Sequence, residues 1–378
     1  MRRNTPAELG AAIVALIGTR GPMSRATLAR QLGVSPATVT NFTRTLIAEG
    51  ALTETGTTPS AGGRPGILLD VVQRRRYALG VKVTPNHLTM AEVDINGEPE
   101  PGISVDLDMR APNALDRIAE AIAERVADRT GTLLGVGLAV PGFSDPSAPD
   151  LVTAPTLGWN RVDLGRLVRD RTGLNVVIDN DVNALALAEQ LYLRGSADDH
   201  LLITIGIGVG AAITSKGRIL HGSRGGAGEF GHMMPMPNDN PCPCGLTGCL
   251  ETLVGDDGLV REARSRGILG AGQGKNDLNL LAEAGDARAI SLFADAGQIL
   301  GLAVANLVHL LDPEAITVSG EGVDMWHHWN EGFLRGLRQR LPLHRRDIPV
   351  TTQPWSDDTW AYGAASLIFA TPFAQGSS

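Results

Sequence analysis

From residue 77 onward the predicted order of strands and helices occurs twice, and this repetition limits the possible folds more than any other feature. Each half opens with strands, continues with a helix and then alternates strands with helices. The first half has predicted strands at 78–83, 88–94, 103–108, 133–140 and 176–179 and helices at 114–128, 164–172 and 182–192. The second has predicted strands at 201–205, 211–215, 315–319 and 348–352, a further short strand, and a helix at 287–311. Two similar α/β lobes predict a cleft between them, where ligands usually bind.

The 378 residues are enough for two or three domains with hydrophobic cores of their own. We predict an α+β head over residues 1–76 and an α/β body over residues 77–378. Within the body, the first lobe is predicted to span about 77–182 with a C-terminal helix, and the second about 183–354. The longest apolar run, 201–213, is broken by glycines and is shorter than the roughly 18 residues of a membrane helix, and no secretory signal is recognised. We therefore expect a cytoplasmic protein without a membrane partner.

The first 50 residues carry the pattern of a helix-turn-helix. One helix with an apolar face is predicted at 7–20. A second begins after Ser24, which can cap it, and stops at Gly33. A third begins at Ser35, a good N-cap, followed by Pro36 at the first helical position. A three-residue turn between two short helices is typical of a DNA-binding helix-turn-helix, although a plain helical bundle is the alternative.

The segment after the third helix favours a winged form of this motif. Two strands are predicted at 52–54 and 67–69, and the tip between them contains Gly-Gly-Arg-Pro-Gly with Arg64. An arginine on such a loop can enter a narrow minor groove of DNA, whereas a disordered tip is the alternative. The predicted DNA-binding residues of the third helix and the wing are Ser35, Thr38, Thr40, Asn41, Arg44 and Arg64.

Charge is distributed unevenly between head and body. Residues 1–76 contain ten arginines, no lysine and four acidic residues, which gives a net charge of +6. The whole chain has a net charge of −8, so the remaining 302 residues carry −14. A basic head on an acidic body predicts that the head alone meets a polyanion such as DNA, although a chance clustering of arginines would give the same count.

All three cysteines lie between Cys242 and Cys249, and His232 precedes the first of them by ten residues. Together with Cys244 they provide three thiols and one imidazole, which is a donor set for tetrahedral Zn²⁺. Four protein donors leave no open coordination position, so the pattern predicts one structural zinc ion per chain. The alternative is a cluster of free thiols beside an unrelated histidine, because a disulfide is not expected in the cytosol.

Around the cysteines the sequence resembles the signature of the ROK family, named for repressors, open reading frames and sugar kinases. The resemblance starts at Gly228-Glu229-Phe230-Gly231-His232 and continues through Cys-Pro-Cys-Gly-Leu-Thr-Gly-Cys-Leu-Glu at 242–251. Other segments that resemble family motifs are, in chain order, Leu138–Gly142, Asp179–Ala184, Thr204–Gly210 and Val318–Gly322. The resemblance covers essentially the whole chain, including the Gly-Arg-Pro wing of ROK repressors. It implies a winged helix-turn-helix followed by a two-lobed, actin-like (RNase H-like) ATPase-type body that binds a sugar.

The resemblance also implies which residues would contact the sugar. These residues are Gly142, Asn180, Asp181, Glu229, His232 and Glu251. Carboxylates, an amide and an imidazole suit this role because each can accept a hydrogen bond from a sugar hydroxyl or donate one to it. His232 would then have two roles, with one ring nitrogen on zinc and the other toward the sugar. Taken singly, Asn180 could be a turn residue, Asp181 a helix N-cap and Glu251 a solvated charge.

Asp181 also matches the catalytic base of the family's sugar kinases, so retained kinase activity is the principal alternative function. Those kinases carry an Asp-x-Gly-Gly-Thr phosphate loop after the first strand. The matching segment here is Lys82-Val83-Thr84-Pro85-Asn86, in which lysine replaces the acid, both glycines are lost and proline has no N–H to donate. A second glycine-rich loop, Gly206–Gly210, is present. We therefore expect no ATP binding or phosphoryl transfer, and expect Asp181 to serve binding alone.

Three functions remain open from the sequence. The first is a transcription regulator, expected to repress carbohydrate-metabolism genes, whose affinity for operator DNA changes when a sugar or sugar phosphate binds. The second is a sugar kinase that also binds DNA, and the third is a regulator controlled by a protein partner through a vestigial pocket. We favour the first, as a nucleoid-associated homodimer or dimer of dimers, because a twofold-symmetric protein matches a palindromic operator.

Overall fold

The computed structural model describes residues 6–48, 50–58, 65–72, 76–94, 97, 100–128, 132–192 and 197–374. The chain forms two compact units, Met1–Arg194 with Asp357–Ser378 (unit 1) and Gly195–Ser356 (unit 2). The helices are α1 (Pro6–Arg20), α2 (Arg25–Leu32), α3 (Pro36–Ala48), α4 (Ala114–Ala127), α5 (Leu164–Thr172), α6 (Asp181–Tyr192), α7 (Glu251–Val254), α8 (Asp256–Ser265), α9 (Lys275–Glu283), α10 (Ala287–Leu311), α11 (Trp326–Arg340) and α12 (Asp357–Ala374). The strands are β1 (Met23–Ser24), β2 (Leu52–Thr57), β3 (Ile67–Val71), β4 (Arg76–Val83), β5 (His87–Asp94), β6 (Ile103–Asp106), β7 (Thr132–Val140), β8 (Phe143–Asp145), β9 (Ala148–Ala154), β10 (Trp159–Asp163), β11 (Val176–Asn180), β12 (His200–Ile205), β13 (Val209–Ser215), β14 (Arg218–Ile219), β15 (Ala315–Ser319) and β16 (Val350–Thr352).

Helices α1 to α3 and strands β1 to β3 form the head, and local signals set its element boundaries. Ser24 caps α2, because its Oγ accepts a hydrogen bond from the N–H of Thr27 (3.2 Å). Gly33 ends that helix in the left-handed conformation. Ser35 caps α3 through the N–H of Thr38 (3.1 Å). The three strands form an antiparallel sheet in the order β1-β3-β2, so the predicted winged arrangement is confirmed.

The head shares a hydrophobic core with the C-terminal helix α12. Ile13 and Ile17 of α1 and Leu69 of β3 are fully buried in this core. Ile368 and Phe369 of α12 belong to the same cluster. Burial of one such side chain contributes roughly 1.5–3 kcal/mol of transfer free energy. The head is therefore attached to the rest of unit 1 by a packed core.

The rest of unit 1 is built on a five-stranded sheet with the order β11-β7-β4-β5-β6. β4 pairs antiparallel with β5 and parallel with β7, and β7 pairs parallel with β11. Successive residues of β4 face opposite sides of the sheet. Leu79 and Val81 belong to the core that includes Ile118 of α4 and Val168 of α5. Gly80 faces α12, where a Cβ would lie only 1.8 Å from the carbonyl oxygen of Ala361.

Unit 2 repeats this topology around its own five-stranded sheet, with the order β14-β13-β12-β15-β16. Its first strand, β12, pairs antiparallel with β13 and parallel with β15, as β4 pairs with β5 and β7 in unit 1. In both units the first strand is central, with the second and third strands on one side and the fourth and fifth on the other. The predicted duplication of the fold is thereby confirmed.

Helices α10 and α11 pack closely against each other in unit 2. A Cβ at Gly297 would lie 2.3 Å from the carbonyl oxygen of Trp329, and one at Gly301 would lie 2.1 Å from that of Phe333. Within the described residues, α10 is the one helix long and apolar enough to cross a membrane. Twelve of its residues are buried, and ten of these belong to the hydrophobic core of unit 2, which accounts for its apolar composition.

The structure departs from the sequence-based outline in three places. The antiparallel sheet β10-β9-β8 and the helices α7 to α9 were not predicted. The boundary of the first lobe, predicted near residue 182, differs from the end of unit 1 at Arg194. The reason is that α6 packs on α12, with the backbone of Ala184 about 3.1 Å from a Cβ built at Gly363. The division between head and body at residue 76 stays a prediction, since both parts lie in unit 1.

Candidate functional sites

The four predicted zinc ligands meet at one point of unit 2. His232 ends a short 3-10 helix, and its Nδ1 lies 3.6 Å from the Sγ of Cys242. The Sγ atoms of Cys244 and Cys249 are 3.7 Å apart, and one donor atom from each of the four residues lies within 4.8 Å of the others. The backbone N–H of Cys242 donates to the carbonyl of Leu246 (2.8 Å), which closes the turn between the thiols. These separations fit one tetrahedral ion with bonds of about 2.0–2.3 Å.

Burial opposes the ionisation of the thiols in this cluster. Burial raises the pKa of the Cys242 thiol to about 12, and it also raises the pKa of Cys249. Three thiolates can share such a buried position only with a metal ion that compensates their charge. The Nε2 atom of His232 lies 3.5 Å from Oε2 of Glu229. One ring nitrogen thus faces the thiols, and the other faces a predicted sugar-binding carboxylate.

The cysteine cluster is connected directly to the glycine-rich loop Gly206–Gly210. Cys249 is followed by the fully buried Leu250 and by Glu251, the first residue of α7. Oε2 of Glu251 accepts a hydrogen bond from the N–H of Val209 (3.1 Å). Glu251 is therefore held against the loop, which excludes the simpler interpretation of a fully solvated charge.

The other predicted sugar-binding residues meet in unit 1, where β11 ends and α6 begins. Nδ2 of Asn180 donates to the carbonyl of Gly142 (3.0 Å), and its Oδ1 accepts from the N–H of Val182 (2.9 Å). Gly142 is closely packed, because a Cβ there would lie 2.3 Å from the carbonyl oxygen of Thr153. Asn180 therefore joins the turn at Gly142 to the start of α6, whose first residue is Asp181.

Lys82 of β4 forms an ion pair with Asp181. Its Nζ contacts Oδ2 of Asp181, while Oδ1 accepts from the N–H of Val182 (2.9 Å). The lysine and aspartate side chains are only 9% and 13% exposed. Trp360 of α12 covers the lysine, with Nζ 4.5 Å from the ring centroid, which is a cation–π contact. Both carboxylate oxygens of Asp181 are thus engaged by groups of the chain itself.

The turn that follows β4 is closed by its own hydrogen bonds. The N–H of Thr84 donates to the carbonyl of His87 (3.0 Å), and the N–H of His87 donates to Oγ1 of Thr84 (3.2 Å). Pro85, between them, has no N–H. Both backbone donors are thus used within the turn itself.

The predicted DNA-binding residues of α3 lie on its outer side. Ser35, Asn41 and Arg44 are exposed, and Thr38 and Thr40 are partly exposed. Three hydroxyls are used within the helix: those of Ser35 and Thr38 are 2.7 Å apart, and that of Thr40 donates to the carbonyl of Pro36 (2.8 Å). Asn41 and Arg44 thus remain as the long polar side chains of this surface. Arg64 of the wing tip lies outside the described residues.

Comparison with known proteins assigns these features to a family. Residues 84–370, about three quarters of the chain, match the ROK family. The chain belongs to the ROK family. Residues 11–55, which contain most of α1 and all of α2 and α3, match the MarR family. The ROK body thus begins after the head, and the head has its own match.

Three similar proteins illustrate the range of this ROK family. The N-acetylglucosamine repressor of Escherichia coli O157:H7 is 30% identical over 95% of this chain and 91% of its own length. The glucokinase of Halalkalibacterium halodurans is 34% identical over 65% of this chain and 80% of its own length. A solved ROK family transcriptional regulator, described as a homologue of the E. coli Mlc protein, has a TM-score of 0.82 at 26% identity, with 97% and 96% of the two chains covered.

These matches confirm the fold class, a winged helix-turn-helix followed by an actin-like ROK body. Of the sugar-binding residues predicted from the ROK resemblance, Gly142, Asn180 and Asp181 meet in unit 1. Glu229 and His232 meet in unit 2, and Glu251 begins α7 there.

The sequence did not predict the contacts of two site residues, Lys82 and Glu321. The sequence shows that Lys82 replaces the acid of the kinase motif. Its pairing with Asp181 was not predicted, because the two residues are 99 positions apart. Glu321 belongs to the predicted late glycine turn, yet its carboxylate lies on the glycine-rich loop, where a Cβ at Gly206 would be 1.9 Å from Oε2. The sequence signal for this contact was the position of Glu321 between Gly320 and Gly322. Glycine-rich turns that bind phosphate have small residues, so a long acidic side chain there is unexpected.

Proposed function

We propose that this ROK protein is a sugar-responsive transcription regulator that represses carbohydrate-metabolism genes and acts on operator DNA in the cytoplasm. The observation that carries the proposal is the Lys82–Asp181 ion pair in a chain whose head is a winged helix. The head supplies a DNA-binding surface, and the ion pair removes from use the residue that a sugar kinase needs as its base. The N-acetylglucosamine repressor and the solved ROK regulator each match this chain over more than nine tenths of both lengths, so the similarity includes the head as well as the body.

The proposed sugar contacts are the six residues that the ROK resemblance implies: Gly142, Asn180, Asp181, Glu229, His232 and Glu251. Their partners within the chain support this role, because most of the polar groups are held at fixed positions by hydrogen bonds or ion pairs. Polar groups that are already held in place lose less conformational entropy when a sugar binds to them. The carboxylate and carbonyl oxygens have two lone pairs each, so those already bonded can still accept from a sugar hydroxyl.

The proposed cofactor is one structural Zn²⁺ per chain, held by His232, Cys242, Cys244 and Cys249. The ion would compensate the three thiolates and leave no open position for catalysis. Its further effect is on recognition. Because Nδ1 of His232 faces the thiols, the ion would fix the ring and present Nε2 toward Glu229.

The regulatory step follows from differential binding. A sugar changes operator affinity only if it binds one arrangement of the protein better than the other. We propose a homodimer, or a dimer of dimers, whose two α3 helices contact successive major-groove half-sites about 34 Å apart. A sugar-dependent change in the separation of the heads would then weaken binding to both half-sites together.

The direct test combines a binding screen with an operator assay. Sugars and sugar phosphates are screened by thermal shift, and each ligand that raises the Tm is added to a gel shift with DNA selected by the wild-type protein. We expect one sugar class to raise the Tm and to change operator affinity. Asp181→Asn should lose both effects, whereas Asp170→Asn, which removes the same charge from an exposed position of unit 1, should keep them. If no sugar acts on either readout, control by a protein partner becomes the better hypothesis.

Retained sugar kinase activity is the second candidate, because the similar glucokinase matches the ROK body. Three observations oppose it: the pairing of Lys82 with Asp181, the closed turn at Thr84, and the carboxylate of Glu321 against Gly206. A second carboxylate, that of Glu251, already accepts the N–H of Val209. Two carboxylates at a glycine-rich loop would repel the phosphates of ATP.

The kinase test uses the same protein with Mg-ATP and a panel of hexoses, N-acetylhexosamines and pentoses. We expect ADP formation at the background level for the wild type. Lys82→Ala, which frees Asp181, should also remain at background, because the N–H groups of Thr84 and His87 are already used within the turn after β4. ADP formation by Lys82→Ala alone would show that the lysine is the sole block, and turnover by the wild type would establish an enzyme.

A further inference from the structure

A second group of metal-ligating side chains lies in unit 2, apart in sequence from the cysteine cluster. It consists of Glu283, the last residue of α9, with His327 and His328 in the first turn of α11. Nε2 of His327 lies 2.9 Å from Oε1 of Glu283, and Nε2 of His328 lies 3.4 Å from the same oxygen. One donor atom from each residue lies within 4.8 Å of the other two. Three donors from two helices thus converge on one point.

Packing fixes one side of this group and leaves the other open. The ring of His328 stacks on Phe293 of α10, with centroids 6.1 Å apart and planes 22° apart. The side chain of His328 is only 14% exposed, and its Nε2 is buried without a hydrogen bond of normal geometry among the described residues. A buried imidazole nitrogen without such a bond carries a desolvation cost that a ligand could remove. His327 and Glu283 are about half exposed, so water can reach the same point.

A direct contact between the histidines and the glutamate is the simpler explanation of this geometry. It requires each imidazole to donate from Nε2 to the same carboxylate oxygen. Two neutral Nε2–H tautomers could do so, but Nε2 of His328 makes no hydrogen bond of normal geometry with that oxygen, 3.4 Å away. The two rings are also in contact, with centroids 4.0 Å apart, so two imidazolium ions would repel each other there. Two neutral imidazoles can instead share one cation with the carboxylate. That arrangement uses the lone pair of each Nε2 and the charge of Glu283.

We propose that Glu283, His327 and His328 form a second metal site, which binds Zn²⁺ or a similar divalent ion with water in the remaining positions. Two imidazoles and one carboxylate are donors that Zn²⁺, Co²⁺ and Ni²⁺ accept. The ion would join the end of α9 to the start of α11. With three protein ligands, one less than the cysteine cluster, the site should bind its metal more weakly and exchange it with the medium.

The test counts and distinguishes the two metals in tag-free protein. Equilibrium dialysis against Zn²⁺ should give two ions per wild-type chain and one for the double variant His327→Gln/His328→Gln. Glu283→Gln, which keeps both imidazoles, should weaken the second ion at least tenfold. His344→Gln, a change at an exposed histidine of the same unit, should leave the count at two. A single ion in the wild type that the double variant retains, or two ions in the double variant, would overturn the proposal.

Cobalt titration identifies which site each ion occupies. Co²⁺ added to protein that already holds one equivalent of Zn²⁺ should give weak visible bands without thiolate charge transfer, and the double variant should lose them. In metal-free Cys249→Ser, Co²⁺ should still give the weak bands, while thiolate charge transfer is weakened relative to the metal-free wild type. Thiolate charge transfer from the second equivalent would assign that ion to the cysteines and contradict the proposal.

Discussion

Cys249→Ser should lose the zinc ion proposed for the cysteine cluster and lower the Tm of the protein by about 10 °C or more. Cys249 is 1% exposed, and it precedes the fully buried Leu250 and the loop-binding Glu251. A structural zinc site in a small domain contributes on the order of 10 kcal/mol of metal-binding free energy, most of which depends on the full ligand set. A loss of only about 3–5 kcal/mol is enough for a Tm shift of this size in a unit of about 160 residues. Thermal unfolding and bound-metal analysis of the same samples measure both effects.

The control for this variant is Thr247→Ser, which removes one methyl group from an exposed residue of the same loop and leaves all four donors in place. It should keep its zinc and the wild-type Tm. A strong chelator should lower the Tm of the wild type and of Thr247→Ser but have little effect on Cys249→Ser. If Cys249→Ser retained both metal and stability, the cluster would be a set of buried thiols without a structural role. The sugar response offers a second readout, because His232 and Glu251 adjoin the cluster.

The sequence predicted the head well because its signals act over a few residues. Ser24, Gly33 and Ser35 mark helix ends through hydrogen bonds to positions three or four residues away, so these signals do not depend on the rest of the chain. The duplicated sheet was predictable for a related reason. Its strands are buried, continuous apolar runs, such as β7 and β12, and their order in the chain restricts how parallel strands can be connected.

Other features could not be read from local patterns. Helices α7 to α9 have only four to ten residues each, which is too short for a clear helical period. The strands β8 to β10 are three to seven residues long and only partly buried, so alternation is weak. The Lys82–Asp181 pair depends on β4, α6 and α12 meeting in space, and no property of either residue indicates its partner. The cysteine cluster was predictable because the donor types themselves define the chemistry, without knowledge of the fold.

Arg44→Ala and Asn41→Ala should each weaken operator binding by about 10- to 100-fold. Both residues lie exposed on α3, and a bidentate contact of such a side chain with a base edge is worth about 1–3 kcal/mol. The hydroxyls of Ser35, Thr38 and Thr40 have partners within the helix, so their removal should act partly through the stability of α3. Fluorescence anisotropy on DNA selected by the wild-type protein measures the affinities, at two salt concentrations.

Two further variants distinguish sequence-specific contacts with the bases from non-specific electrostatic attraction to DNA. Arg335→Ala removes one exposed positive charge from α11 in unit 2 and should leave operator affinity within about twofold. Arg64→Ala, at the wing tip predicted from the sequence, should weaken binding most on A/T-rich flanks, because a narrow minor groove attracts arginine. A residue that contacts only phosphate would lower affinity equally for all sequences and reduce the salt dependence. Unchanged affinity in Asn41→Ala and Arg44→Ala together would remove α3 as the recognition helix, and with it the regulator proposed for this chain.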